Sequence, residues 1–381
     1  MKYYKITPKI LIWSILLIGF ILRVVFCFFL NLPHLHTDTY MYFYQSNALL
    51  RGEYINYAPN GYPIVIATLS HFIKASLLDD TLLWINIIVG TLTIGLLYKI
   101  GSLIFKKPKI ALIASLLLAL YPNQLNYTRW ILTEIPCTFF LVAGYYLYIK
   151  NNNFLSGIVV GIASLFRTPV IIVGILISGY NFFIHRKVSL KLLGGLSIPL
   201  ICIGSYCFLC TGKFAITGNE TVNVVYAIAS YTKATNGEID WNAPKRHPEI
   251  KNSSQAWKAY LTHACKYPLE FVKTRLNSFW ELWGFYPSSL GGTRTVASRL
   301  LIGVCNLFLF VGCLWCLWKN YKKKWIYLFL IPICSLSSIY ILLVSMARYT
   351  VPMEPFMIIL TSWSIADLTD LYPHRNRKLS V

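Results

Sequence analysis

Between Ile10 and Leu30 the chain carries one charged residue, Arg23, in 21 positions. A helix of about that length crosses the ~30 Å hydrocarbon core of a bilayer. Further runs of this kind recur along the chain. Backbone N–H and C=O groups in hydrocarbon must be satisfied within the segment itself, so such runs fold as helices. The sequence therefore predicts an all-α polytopic membrane protein with about ten transmembrane helices. They are expected near 10–30, 81–100, 110–121, 131–149, 154–166, 170–184, 191–210, 297–318, 325–344 and 351–368. Lys2, Lys5 and Lys9 precede the first run, which is too long for a signal segment and has no small-residue cleavage site. It reads as a retained span.

Sidedness follows from charge. The net charge is +21 over 381 residues, with only 13% charged and 56% apolar. A nucleic-acid partner explains this poorly, because the Lys and Arg residues come as small clusters between spans. With both termini inside, those clusters fall on the cytoplasmic turns at 105–109, 150–153, 185–191 and 319–324, as the positive-inside rule requires. Twelve of the 14 acids then fall on the outer side, Asp367 and Asp370 being the exceptions. The organisation expected is a core over 1–210 whose first outer loop (31–80) bears the site, an outer-face segment over 211–296, and C-terminal helices with a basic tail over 297–381. Residues 39–50 and 61–78 read as interfacial helices, and 254–283 as two amphipathic helices around Pro268. Nearly all of the ten cysteines fall inside spans, which argues against a disulfide framework. Cys313 and Cys316 form a CxxC within a span, where packing is the better reading. Cys265 lies in the outer segment.

Two spans are short. Both 110–121 and 154–166 run outward and stop at polar residues, so their outer ends should lie below the membrane surface around a wet, outward-facing cavity. Asp38, Asn123, Gln124, Arg129, Glu134, Arg167 and Arg348 are its candidate wall, with Tyr40 and Tyr62 from the first loop. Each has a plainer reading. Glu134 suits the first turn of a helix through the helix dipole, Arg167 and Arg348 could snorkel to headgroups, and Asp38 could be a surface acid that caps a helix. His34 and His36 lack a third ligand at metal-binding spacing.

Several stretches together resemble the GT-C glycosyltransferases, in particular the protein O-mannosyltransferase-like branch that includes the aminoarabinose transferases of lipid A. They are Asp38-Thr39-Tyr40 with Ala48-Leu49 and Arg51-Gly52, Gly61-Tyr62-Pro63, Leu132-Thr133-Glu134, Gly161 to Pro169, and Arg348-Tyr349 through Pro355. Their order and sidedness, more than any one motif, carry the resemblance, which is weakest in 211–296. It implies transfer of a sugar from a polyprenyl-phosphate donor to a hydroxyl of a glycan, lipid or protein. Asp38 would serve as catalytic base with Glu134, Arg348, Arg167 and Arg129 would bind the donor phosphate, and Tyr40, Tyr62, Asn123 and Gln124 would line the substrate cavity. The site would face the exterior of a bacterial inner membrane. Thr39 follows Asp38 where many relatives carry Asp-Glu, so no metal site is assigned and no cofactor is expected, with a divalent cation left open. A flippase or transporter, which would welcome the mid-span Arg23, and an O-antigen ligase or polymerase, with its chemistry in 211–296, are the alternatives. Sequons at Asn126, Asn219 and Asn252 all fall on the expected outer side.

Overall fold

The computed structural model describes residues 7–30, 33–55, 57–217, 220–229, 242–284 and 296–376; the sequon at Asn219 lies outside them. The described residues form helices and connecting segments, with no strand among them. The first half comprises α1 (Pro8–Val24, continued by a π-helical turn, Val25–Phe29), α2 (Thr37–Leu50), α3 (Gly61–Ser70), α4 (Ala75–Phe105), α5 (Pro108–Leu120), α6 (Pro122–Thr128), α7 (Glu134–Ile149), α8 (Asn153–Phe166), α9 (Val170–His185) and α10 (Leu190–Thr211). The outer segment contains α11 (Glu220–Ala229), α12 (Ala243–Arg246), α13 (Ser253–Lys266) and α14 (Pro268–Leu282). The chain closes with α15 (Val296–Asn320), α16 (Lys324–Leu342), a short 3₁₀ segment (Ala347–Thr350) and α17 (Glu354–Asn376).

All ten apolar runs coincide with helices. Length and apolarity alone mark five of the described helices as able to cross a bilayer: α1 with its π turn, α4, α10, α15 and α16. The pair α5–α6, bent by 51° at Tyr121–Pro122, would make a sixth. Helices α3, α7, α8 and α9 are apolar but shorter. The segment 61–78 is not one interfacial helix. It breaks after Ser70, and α4 already begins at Ala75. Around Pro268 the two expected amphipathic helices are present as α13 and α14, the proline taking the first position of α14, where its missing N–H costs nothing.

Close packing sets the geometry of the bundle. α8 lies against α7 and α10, α4 against α5 and α7, and α17 against α15 and α5. The residues from Val351 to Ser362 are all buried, so the first turns of α17 run through the middle of the molecule. The α8–α10 crossing rests on glycine. A Cβ on Gly157 would sit 2.1 Å from the Leu192 carbonyl oxygen, one on Gly161 2.8 Å from that of Leu196, and one on Gly195 2.1 Å from that of Phe154. Small residues four apart let two helix backbones meet, the usual means of tight association in a membrane. Gly157→Ala should therefore force the pair apart and destabilise the protein by about 1–3 kcal/mol. Thermal unfolding in detergent would show it, whereas the same change at Gly194, which has open space around it, should be tolerated.

Candidate functional site

The first loop is tied to the segment leading into α7. The Ile131 N–H donates to the His34 carbonyl (3.1 Å), and the Thr39 hydroxyl donates to the Ile131 carbonyl (3.0 Å). α2 is capped by His36, whose Nδ1 accepts the Asp38 N–H at 3.1 Å, while the His36 N–H donates to Thr39 Oγ1 at 3.0 Å. Asp38 is thus not the cap that its position suggested. It stands in the first turn with its carboxylate free for another partner, and these ties bring it beside Glu134, the first residue of α7.

That partner is Arg348. Arg348 Nη2 lies 2.7 Å from Asp38 Oδ2, and Arg348 Nε lies 3.6 Å from Glu134 Oε1. The same Glu134 oxygen receives Arg167 Nη2 at 2.7 Å, and Arg167 Nη1 donates to the Tyr340 hydroxyl at 3.1 Å. The four charges form a line of alternating sign: Asp38, Arg348, Glu134, Arg167. Tyr349 lies against both guanidiniums, 4.3 Å from Arg167 and 5.5 Å from Arg348, and packs on Tyr340. Neither arginine snorkels and Glu134 is no solvated acid, since its side chain is 1% exposed. Only Asp38, at 38%, opens to solvent. Among the described residues, Arg348 Nε and Nη1, Arg167 Nε and Glu134 Oε2 are buried without a hydrogen-bond partner.

The electrostatics follow from this line. Burial pushes the Asp38 carboxyl up, but Arg348 beside it, with His36 and Arg167, outweighs burial and holds it below the ordinary carboxylate range. Its ion pair is accordingly intact at neutral pH. The stability it lends is present above the unfolded-chain value and lost as pH falls through the lowered one. Burial, reinforced by Arg348, pushes the His36 imidazole down, which keeps Nδ1 available as the acceptor that the cap requires.

Most of the other expected site residues are held by bonds of their own. Asn123 and Gln124, at the α5–α6 break, donate to Glu354 at 2.6 and 2.8 Å, and Thr350 adds a third bond at 3.1 Å. Glu354 is fully buried, and Gln124 also reaches the Val351 carbonyl at 2.8 Å. The cage ties the broken helix to the segment that presents Arg348. Tyr62 is buried, stacks on Tyr42 and donates to Asn86 Oδ1 at 2.7 Å. Asn86 in turn holds the Thr128 and Trp130 carbonyls. Arg129 donates to the Pro33 carbonyl and to Asn126 Oδ1 and lies over the Trp130 ring, so it helps to fix the first loop. Tyr40 is exposed. Mid-span Arg23 is buried with Nη1 on the Gly19 carbonyl of its own helix. Glu354, Tyr340 and Tyr349 went unassigned in the sequence; an acid directly after Pro352-Met353, at the head of an apolar run, was the available signal for Glu354. Glu354→Ala should strip the Asn123 and Gln124 amides of their carboxylate acceptor and lower stability by about 1–3 kcal/mol, with Glu354→Gln milder. Equal thermal unfolding of both variants and the parent would refute the cage.

Residues 63–207 match the family model of the dolichyl-phosphate-mannose-protein mannosyltransferases, a stretch that includes Glu134 and Arg167. The expected resemblance is thereby borne out. Among solved structures, the chain is similar to the oligosaccharyltransferase of Archaeoglobus fulgidus tethered to an acceptor peptide containing the NVT sequon. That match has 14% identity and a TM-score of 0.60, covering 100% of this chain and 52% of that one. The apo form of the same enzyme gives 15% and 0.56, covering 100% and 53%. Its complex with an inhibitory peptide and a dolichol-phosphate gives 15% and 0.54, covering 98% and 52%. The fold is thus GT-C-like, and the chain spans about half the length of the structures it matches. No curated protein matches it in sequence.

Proposed function

We propose that this chain is a membrane glycosyltransferase that moves a sugar from a polyprenyl-phosphate donor to a hydroxyl on a glycan, lipid or protein. The observation that carries this reading is the line of charges with buried, unpartnered guanidinium N–H groups at one end of a helical bundle. Buried donors without acceptors are costly, and a phosphate is the acceptor whose charge and paired oxygens match a guanidinium. The donor context agrees with the dolichol-phosphate held by the archaeal structure of the same fold and with the matched mannosyltransferase family. The localisation we infer is a bacterial inner membrane with the site facing outward. A transporter would spread paired charges across the bilayer midplane, whereas here the buried ion pairs gather at the Asp38–Arg167 line and Arg23 bonds its own helix.

The chemistry runs as one displacement. The acceptor hydroxyl oxygen attacks the anomeric carbon and gives its proton to Asp38. The bond from that carbon to the phosphate oxygen breaks, and its electron pair stays on the lipid phosphate. Arg348 and Arg167 stabilise the charge that accumulates there. Glu134, enclosed by both guanidiniums, orients them rather than the acceptor. Asp38 is the one exposed carboxylate of the four charges, and thus the one that an acceptor can reach. At rest its pairing with Arg348 makes it a poor base. A phosphate that takes over part of the Arg348 charge raises its basicity at the moment the donor is in place.

Two variants test this. Asp38→Asn leaves the α2 cap intact, since His36 makes it, so the protein should fold and bind carrier phosphate at least as well as the parent. Turnover should fall roughly 10²-fold or more; sugar transfer at the parental rate would overturn the base assignment. Arg348→Ala should weaken carrier-phosphate binding by roughly tenfold or more, the worth of one charge-assisted hydrogen bond. Arg348→Lys should be nearly as damaging, because an ammonium cannot reproduce the guanidinium fork. Unchanged carrier affinity in Arg348→Ala would remove it from the phosphate site.

A further inference from the structure

Helix α14 divides into three sectors. Thr274, Arg275, Ser278 and Leu282 are buried. Lys273 and Asn277 form an exposed polar flank. Leu269, Val272, Leu276 and Trp280 make a third sector, a continuous apolar stripe that is 85%, 55%, 58% and 48% exposed. The inward face mixes polar and apolar groups, Phe271 and Phe279 packing beside Thr274, Arg275 and Ser278, so the outward stripe is more apolar than the face the helix buries. The inward face is satisfied by specific bonds. Arg275 Nη1 donates to the carbonyls of Ile341 and Leu342 at 2.8 and 2.6 Å, at the end of α16.

The position of α14 along the bundle says what covers the stripe. Its end packs against α15 well inside that helix. The Trp283 and Phe310 rings are 4.7 Å apart, and Asn306 Nδ2 donates to the Trp283 carbonyl at 2.6 Å. Asn306 and Phe310 lie six and ten residues into the apolar span that starts at Leu300, roughly 9–15 Å along its axis. The Trp280 end of the stripe therefore reaches hydrocarbon depth, and the stripe runs from there toward the end of α16, which Arg275 meets. The stripe adjoins the helix that exposes Leu300, Leu301, Val304, Leu307, Phe308 and Val311. The polar flank carries Lys273 and Asn277 between the half-buried Glu270 and Glu281, a mixed-charge edge suited to the headgroup boundary beside an apolar stripe.

We propose that α14 is a helix seated in the bilayer, its apolar stripe in the acyl chains of the leaflet on the Arg348 side and its polar flank of Lys273 and Asn277 at the headgroups. Through Arg275 it braces the end of α16, from which the chain leads to Arg348. This goes beyond the proposed transfer reaction and holds whatever that reaction is. The test incorporates a photo-crosslinking benzoylphenylalanine in place of Val272 or Leu276 in the full chain. The protein is reconstituted in nanodiscs of phosphatidylcholine mixed with phosphatidylglycerol, and adducts are identified by mass spectrometry. Val304, on the lipid-facing side of α15, is the reference. Phospholipid adducts at both positions, at yields comparable to the reference, are expected. Adducts only to protein, whether a second copy or this chain itself, would overturn the proposal, as would the absence of adducts that a water-facing stripe gives.

Discussion

The structure depends on one arrangement: a carboxylate that is almost wholly enclosed, Glu134, held between two guanidiniums. A carboxylate and two arginines withdrawn from water carry a desolvation cost of several kcal/mol each. Their mutual attraction offsets that cost only with close geometry. The line Asp38–Arg348–Glu134–Arg167 supplies it, with contacts of 2.7, 3.6 and 2.7 Å. Its members come from four separate places: the first loop, the start of α7, the end of α8 and the 3₁₀ segment before α17. Each lies where a helix stops or starts, so the line fixes where four chain breaks meet. The bonds from Thr39 to Ile131, from Asn123 and Gln124 to Glu354, and from Arg275 to the end of α16 make those breaks converge.

Much of this was legible in the sequence for a simple reason. In an apolar chain, charges at the ends of hydrophobic runs are conspicuous, and placing an acid or arginine there is costly unless it is paired or wet. Asp38, Glu134, Arg167 and Arg348 stand out on that ground alone. The helices are legible because apolar runs and prolines delimit them: α6 and α14 each begin at a proline, and α8 stops at Arg167, two residues before one.

What was not legible is pairing at long range and capping by an unusual residue. Asn123 and Gln124 meet Glu354 across some 230 positions, and no local pattern announces that. A polar cluster at the end of a short span looks the same whether it faces water or a buried carboxylate. Asp38 suggested a helix cap because Asp is among the favoured capping residues. The cap went instead to His36, two positions earlier, once burial and Arg348 kept its imidazole neutral. The helical break after Ser70 is not legible because His71 and Lys74 mark the uncharged run as too short to span without saying where the backbone turns.

The placement of Arg348 explains why the charges are arranged in a line and not a cluster. Arg348 sits in a four-residue 3₁₀ segment whose neighbours are fixed on either side, by Glu354 after it and by the braced end of α16 before it. Its guanidinium bridges the exposed Asp38 and the buried Glu134, so any anion that draws on it must loosen one of those two contacts. The Glu134 contact is enclosed and shared with Arg167. The Asp38 contact is the one open to solvent. In the proposed reaction an incoming phosphate therefore competes most directly with Asp38. Its carboxylate loses the charge that holds its proton affinity down at the point where an acceptor can approach it. In the proposed mechanism, the same pairing that makes Asp38 a weak base in the unliganded protein makes its strength depend on the donor. A site built this way has little basicity to spend on water before its substrate arrives.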